Sequence, residues 1–265
     1  MAFVKYHQPC PLCSSSDAAS INDDGSAYCF SCDARINNYQ ELIGGSVKDN
    51  IKEFKVHKNN SVNDIEGSFA ALTDRGISLD TAKKYNVKSI SNSNGEIVRH
   101  FYPYYIASEI TSYKIRGVDK HFTWRGNSQG TGLFGESIFK ASGKFITLVE
   151  GECDAMAAYE LLGSKWPVVS LKSGAAGAVR DIKKSIEFLE KFDNIIIYFD
   201  NDKAGRDAAK KVARLLTPGK AKILSLPDDF KDANEMLKAA RIQSYVDAWW
   251  SAKLYTPSGV LNISE

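Results

Sequence analysis

The chain has 265 residues, and its 43% hydrophobic and 25% charged content is ordinary for a soluble globular protein of one or two domains. A formal net charge of +2 leaves no overall basic surface, so a nucleic-acid partner would have to bind a local basic patch. No apolar run approaches the roughly 18 residues of a transmembrane helix, and the start of the chain lacks a signal-peptide pattern. We therefore expect a cytoplasmic protein with no membrane partner.

Two cysteine pairs lie near the start of the chain. Cys10 and Cys13 form one C-x₂-C pair, Cys29 and Cys32 form a second, and fifteen residues separate them. Four thiolates at this spacing are typical of a tetrahedral zinc site. Because cysteine fills all four positions, the single zinc ion would be structural, and so short a segment needs a metal in order to fold. The sequence therefore predicts a zinc ribbon over residues 1–45.

Polar and aromatic residues accompany these cysteines. Tyr28 and Phe30 have the chemistry to stack on nucleic-acid bases, although we favour them as the small core of the ribbon. Asp24, Ser26 and Arg35 are candidate contacts to a nucleic acid. A turn is expected at 23–25, between two short strands.

The middle of the chain predicts a linker and then a mixed α+β region. Residues 46–62 are polar and without periodicity, which is typical of a flexible linker. A helical hairpin is expected next, with helices over 65–75 and 79–85 and with Ser78 as the cap of the second helix. Strands are expected over 96–105 and 109–117.

The second of these strands carries cations on one face. Lys114 and Arg116 alternate along it, and Lys120 follows the next turn. Cations two residues apart on a strand are about 7 Å apart, which suits the reach of a triphosphate. The alternative is a solvated charged face. We favour phosphate binding by these cations because they lie directly before an acidic cluster in the sequence.

Acidic residues follow two apolar runs, 145–149 and 195–199, where each run ends. They are Glu150, Glu152, Asp154, Asp200 and Asp202. Ligands of open α/β sheets bind at the carboxyl ends of the strands, and crowded carboxylates repel one another unless a cation lies between them. Oxygen ligands favour Mg²⁺ or Mn²⁺. Taken singly, each acid could be a helix N-terminal charge, but together they predict a metal site, with Asp200 and Asp202 as its firm ligands.

Strands and helices alternate over 143–250, which predicts a mostly parallel sheet with helices on both faces. Within it, a small-residue loop is expected at 172–176 and a helix at about 181–192. Cys153, the fifth cysteine, is interpreted as a packing residue. The predicted fold class is α/β, in the order zinc ribbon 1–45, linker 46–62, basic α+β subdomain 63–142, parallel-sheet subdomain 143–250 and tail 251–265.

Several of these segments resemble known motifs. EGE at 150–152 and DNDKAGR at 200–206 resemble the Toprim module, which primases, topoisomerases, some nucleases and RecR proteins share. ALTDRGI at 71–77, SYKIRGVDK at 112–120 and GLFG at 132–135 are similar to the primase half of phage primase–helicases. With the four-cysteine ribbon, the resemblance covers nearly the whole chain.

The resemblance implies a DNA primase, a DNA-directed RNA polymerase that makes short RNA primers on single-stranded DNA. Its substrates would be the DNA template and ribonucleoside triphosphates, with two Mg²⁺ or Mn²⁺ ions as catalytic cofactors. The implied metal ligands are Glu150, Asp200 and Asp202, with Glu152, Asp154 and Asp232 serving the second ion or orienting water molecules. Glu150 would accept the hydroxyl proton. The implied nucleotide and DNA contacts are Lys114, Arg116, Lys120 and Arg206.

The same resemblance implies partners. They would be a replicative helicase, fused in a full-length protein or separate, and a DNA polymerase that receives the primer, in an infected host cell if a phage encodes the chain. No P-loop sequence occurs, and residues 255–259 resemble the start of a primase-to-helicase linker. Ser26 occupies a position where phage relatives carry histidine, so their template triplet is not carried over.

Other Toprim proteins give the alternatives. A RecR-like recombination mediator also joins a four-cysteine zinc site to Toprim, but here no helix-hairpin-helix precedes the cysteines. A topoisomerase would need a further domain with a nucleophilic tyrosine. A Toprim nuclease that uses the same metals stays open.

Overall fold

The computed structural model describes residues 3–12, 16–30, 35–44, 62, 65–119, 121–227 and 229–257. The chain forms two compact units, Met1–Lys58 and Asn59–Glu265. Three predicted site residues, Cys13, Cys32 and Lys120, lie outside the described residues, as does nearly all of the predicted linker.

The first unit contains a four-stranded antiparallel sheet followed by a short helix. Its elements are β1 (Phe3–Gln8), β2 (Ala19–Asn22), β3 (Ala27–Cys29), β4 (Arg35–Ile36) and α1 (Tyr39–Gly44). The predicted turn at 23–25 joins β2 to β3, where Gly25 adopts a φ of +81° that favours glycine. Cys10, Cys29 and Tyr39 are buried in the small core, and the Tyr39 hydroxyl donates to the Pro9 carbonyl at 2.6 Å.

The second unit begins with an antiparallel sheet in the order β5-β6-β7-β8. Its elements are α2 (Leu79–Lys84), β5 (Lys88–Ser91), β6 (Ile97–Ile106), β7 (Glu109–Gly117) and β8 (Phe122–Gly126). The prediction that Ser78 caps the second helix is confirmed, because its hydroxyl accepts the Thr81 N–H at 3.3 Å.

The first helix of the predicted hairpin, over 65–75, is wrong. Ser68 instead pairs with Ser89 of β5, and Leu72 pairs with Ile77 across a turn. Gly76 in that turn has a φ of +67°, a left-handed conformation that no helix interior adopts. Pairing with a strand some twenty residues away overrides the local apolar pattern.

The predicted α/β architecture is confirmed in the remainder of the second unit. A sheet of order β10-β9-β11-β12-β13 has parallel neighbours except for β13, which is antiparallel to β12. Its strands are β9 (Gly143–Val149), β10 (Val168–Ser170), β11 (Phe192–Tyr198), β12 (Ala221–Ile223) and β13 (Lys253–Leu254). The helices are α3 (Glu152–Leu161), α4 (Gly174–Leu189), α5 (Lys203–Ala213), α6 (Ala233–Lys238) and α7 (Ile242–Trp250).

Alternate residues of β9 reach two separate apolar clusters. Val149 packs with Met156 and Trp249 in one cluster, whereas Leu148 packs with Ile182 in the other. Because successive strand residues point to opposite faces, helices must cover both faces of this sheet. Cys153 belongs to the first cluster, so its interpretation as a packing residue is confirmed.

The predicted small-residue loop at 172–176 is partly wrong, because α4 already begins at Gly174. Asp181, one of the buried residues of α4, accepts the backbone N–H groups of Lys172 at 3.0 Å and of Ser173 at 2.7 Å. Asp181, in the second turn of α4, thus holds the two residues that precede the helix. In the part of the chain that the structure describes, no helix is long and apolar enough to cross a membrane.

Candidate active site at the carboxyl edge of the parallel sheet

Glu150 and Asp200 meet because β9 and β11 are parallel neighbours, with Val149 opposite Tyr198. The Glu150 carboxylate accepts the Asp200 N–H at 3.3 Å and the Ala175 N–H at 3.1 Å. It therefore links the end of one strand to the end of the next and to the first turn of α4. The predicted convergence of acids at this edge holds for these two residues.

Three more acids are oriented by backbone N–H groups. Asp202 accepts from Gly205 at 2.8 Å, Asp232 from Glu235 at 2.8 Å, and Asp154 from Asn234 at 3.3 Å. Asp202 and Asp232 are thereby the N-caps of α5 and α6, so the helix-terminal role considered as the alternative is present for both. A Cβ atom at Gly205 would collide with the Asp200 carbonyl, which explains why this position of the motif is glycine.

These five carboxylates, Glu150, Asp154, Asp200, Asp202 and Asp232, are called the acid cluster below. Burial raises the pKa of Glu150, and the charge of Asp200 raises it further. Burial, followed by the charges of Asp232 and Asp200, raises the pKa of Asp154 well above its usual range. Burial also raises the pKa of Asp232. Carboxylates that oppose one another's ionisation make a site that a bound cation would stabilise.

The acid cluster fits divalent ions by the chemistry of its hard oxygen donors. One ammonium group already lies against it, since Lys231 Nζ is 3.0 Å from Asp200 Oδ2. Among the described residues, no group of three or more His, Cys, Asp or Glu side chains is arranged to hold a metal ion directly. The individual magnesium ligands therefore stay a prediction.

Glu152 differs from the other predicted ligands in its partners. Its carboxylate accepts the Tyr104 hydroxyl at 2.6 Å and the Lys114 ammonium at 2.8 Å, and the residue is only 4% exposed. Lys114 also donates to the Lys172 carbonyl at 3.0 Å. These bonds join the antiparallel sheet to α3. Lys114, predicted as a phosphate contact, is thus paired with an acid in this structure.

Arg116 lies one step further along β7. Its guanidinium is 3.6 Å from the Cys153 sulfur, and it lines a cavity of about 100 Å³ together with Arg75 and His100. His100 lies 3.1 Å from an Asp74 carboxylate oxygen and 2.8 Å from the Tyr102 hydroxyl. His100 was not predicted from the sequence as a site residue. Its only signal was a polar residue, next to Arg99, in a strand that is otherwise mainly aromatic and aliphatic.

The other predicted contacts are at the surface. Arg206 donates to the Asn201 carbonyl and side chain, both at 3.0 Å, so it stabilises the loop of its own motif. Asp24 accepts the Ser26 N–H at 2.9 Å and its hydroxyl at 2.6 Å, and these bonds hold the pKa of Asp24 below its usual value. Arg35 is exposed in β4, opposite Tyr28. A binding role for these residues stays a prediction.

Comparisons with known proteins agree with this geometry. A family model described as Toprim-like matches residues 147–237. The crystal structure of the primase fragment of the bacteriophage T7 primase-helicase protein is 32% identical, with a TM-score of 0.65, and the match covers 94% of this chain and 100% of that chain. The chain belongs to the family of phage primase–helicase primases. The predicted resemblance is therefore confirmed, and the RecR-like alternative is not favoured.

Two further relatives extend the comparison. The DNA helicase/primase of Enterobacteria phage T3 is 32% identical over 278 residues, and the chain spans 45% of its length. This chain is also 33% identical to a chain in a structure of bacteriophage T7 lagging-strand DNA polymerase. In that structure the polymerase interacts with primase domains of two gp4 subunits bound to an RNA/DNA hybrid and dTTP. That match covers 74% of this chain and 97% of the other, with a TM-score of 0.66. Toprim and primase families generally use divalent metal ions.

Proposed function

We propose that the chain is a DNA-directed RNA polymerase that joins ribonucleotides into short primers on single-stranded DNA. The supporting observation is the acid cluster at the ends of β9 and β11, with a cation-bearing strand, β7, bonded to the start of α3 beside it. Membership of the phage primase family indicates primer synthesis as the reaction that this arrangement would catalyse. An acidic edge next to phosphate-binding cations suits phosphoryl transfer because positioning and charge neutralisation supply most of its catalysis.

In the proposed reaction, the 3′-hydroxyl of one ribonucleotide attacks the α-phosphorus of the next. A new phosphodiester bond forms, the bond to the bridging oxygen breaks, and pyrophosphate leaves. Glu150 would take the hydroxyl proton, since its carboxylate lies at the end of β9 and accepts the N–H of Asp200 at the neighbouring strand end. Bound divalent ions would neutralise charge on the phosphates and the leaving group.

We propose that two Mg²⁺ or Mn²⁺ ions share the acid cluster. Asp200 and Asp202 would hold the first ion beside Glu150, and Asp154 and Asp232 would hold the second. Glu152 would reach an ion or its water only after Lys114 has moved from it to a substrate phosphate. Lys114, Arg116, Lys120 and Arg206 are the proposed phosphate and DNA contacts.

The first unit is proposed to choose the template site. One zinc ion would be held by Cys10, Cys13, Cys29 and Cys32, of which Cys10 and Cys29 are buried in the core of the sheet. Asp24, Ser26 and Arg35 would contact template bases. This division of labour goes with the domain boundaries proposed from the sequence: a ribbon over 1–45, a linker over 46–62, a basic subdomain over 63–142, a catalytic subdomain over 143–250 and a tail over 251–265.

The proposed partners follow from the relatives. The T3 relative is a helicase/primase, and the T7 primase domains interact with a lagging-strand DNA polymerase. We propose that this chain likewise works with a replicative helicase, in one longer polypeptide or as a separate protein, and passes its primer to a DNA polymerase. The place of action would be the cytoplasm of an infected host cell.

The test supplies labelled ribonucleoside triphosphates, Mg²⁺ and a library of single-stranded DNA templates, and separates the products by length. Short RNA that depends on both template and Mg²⁺ is the expected result. Labelled DNA in a parallel reaction measures cleavage. Degraded DNA without new RNA would favour the nuclease alternative and reject the primase proposal.

A further inference from the structure

One face of the antiparallel sheet alternates cations with aromatic rings. Register places Lys114 of β7 opposite Trp124 of β8, and Arg116 opposite Phe122. Directly paired residues of neighbouring strands lie on the same face. The two cations proposed to bind phosphate and the two rings therefore share a single surface.

The two rings are accessible and close to the cations. Phe122 is 43% exposed and Trp124 is 38% exposed, since β8 is an outer strand of its sheet. Lys114 Nζ is 4.7 Å from the Phe122 ring centroid, and the Arg116 guanidinium is 5.8 Å from it. Lys172 Nζ is 5.9 Å from the Trp124 ring.

This surface leads to Glu152 at the start of α3. Behind Trp124 lies the Tyr104 ring, with centroids 5.1 Å apart, and the Tyr104 hydroxyl donates to Glu152. Lys114 contacts both Glu152 and the Phe122 ring. From α3 outward, the Glu152 carboxylate is therefore followed by the Lys114 ammonium group and then by the Phe122 ring. A ligand placed along this order would have its phosphates near Glu152 and an aromatic group over β8.

Cation–π contacts alone are the simplest reason for such a face. Exposed contacts of this kind are weak, so they do not explain why two large rings stay half exposed on an outer strand next to the active site. Stacking on a base has no sequence requirement, because every nucleobase presents a π-face. An accessible ring beside phosphate-binding cations thus suits any of the four ribonucleotides.

We propose that Phe122 and Trp124 form a stacking subsite for the base of the ribonucleoside triphosphate whose phosphates Lys114 and Arg116 bind. This inference rests on the proposed primase function and names the positioning surface for its substrate. The nucleotide is preferred to the template strand because Lys114 lies between the Phe122 ring and Glu152. That order matches a triphosphate that points inward and a base that points outward.

The test measures binding of two probes to the whole chain with Mg²⁺ present. ATP carries a base and a triphosphate, whereas inorganic tripolyphosphate carries only the phosphates. Trp124→Ala should weaken ATP binding about tenfold, within the range for one stacked base, and leave tripolyphosphate binding unchanged. Trp124→Phe, which keeps a ring, should restore most of the ATP affinity. Phe122→Ala should act in the same direction.

Trp250→Ala is the matched control, because Trp250 is 60% exposed on α7 and outside the proposed surface. It should leave the affinity for both probes unchanged. Equal ATP affinity in wild type and Trp124→Ala would overturn the proposal. So would weaker binding of single-stranded DNA with unchanged ATP binding, which would assign the rings to the template. Wild-type protein that binds ATP through Trp124 but makes no RNA would refute the primase function and not the stacking subsite.

Discussion

Asp200→Asn tests the acid cluster most directly, because it keeps the shape of the side chain and removes one negative charge. In wild type, the charge of Asp200 raises the pKa of Glu150 and of Asp154, so its loss relieves repulsion. Against this, the ion pair with Lys231 disappears. Lys231 is 54% exposed, and exposed pairs contribute about 0–1 kcal/mol. The two effects oppose each other, so the free energy of unfolding should stay within about 1 kcal/mol of wild type.

Primer synthesis should behave differently. If Asp200 helps to hold a catalytic ion, its charge acts on the transition state, and removing one such contact costs about 3 kcal/mol or more. That is a rate loss of at least about a hundredfold. The assay pairs urea denaturation in Mg²⁺-free buffer with incorporation of labelled ribonucleotides in saturating Mg²⁺. Asp193→Asn is the matched control, since Asp193 is exposed near the opposite end of the same strand.

Two results would refute this reasoning. Near wild-type primer synthesis by Asp200→Asn would remove Asp200 from the metal site. A drop of several kcal/mol in the free energy of unfolding would mean that its main role is structural and that the lost activity reports a damaged fold.

Three further predictions concern Lys114, the zinc ion and Ser26. Lys114→Ala leaves the buried Glu152 without its cation, so the free energy of unfolding should fall by about 3 kcal/mol, and the KM for ribonucleotides should rise. Adding Glu152→Gln to this variant should recover the stability but leave the KM raised. Recovery of both stability and KM would contradict phosphate binding by Lys114. Stripping zinc with a chelator should make residues 1–58 sensitive to protease while the second unit stays resistant, and undiminished resistance would argue against a structural metal. Ser26→Ala should change which template sites start primers without altering the Mg²⁺ dependence, and identical start sites would assign template choice to the second unit.

The parallel sheet could be predicted from the sequence because its determinants are local. The runs at 145–149 and 195–199 have apolar residues at successive positions, which is typical of a strand buried on both faces, and acidic residues follow each run. Parallel pairing of the two runs then follows from the alternation of strands and helices, and it brings Glu150 to Asp200. The carboxyl edge is thus predictable even where individual ligands are not.

What the sequence did not reveal depends on contacts between distant segments. The turn at 73–76 and the bridge from Ser68 to β5 replace the helix expected over 65–75. The first turn of α4 is rich in glycine and alanine, which is typical of a loop, yet Asp181 and Glu150 accept N–H groups at its entry. Neither partner can be identified until the fold is known.

Glu152 is the clearest example of a residue whose partners the sequence did not reveal. It also shows that acids of the candidate site are paired with lysines. Spacing alone groups it with the other acids, but packing of the antiparallel sheet against α3 gives it Lys114 and Tyr104 as partners. Lys231 likewise pairs with Asp200. Under the proposed roles, a phosphate would compete with Glu152 for Lys114. A metal ion would compete with Lys231 for Asp200. A buried carboxylate left without a cation is costly, so a phosphate that took Lys114 from Glu152 would leave a charge that a nearby metal ion could offset. If both proposed roles hold, nucleotide and metal should therefore bind better together than either does alone.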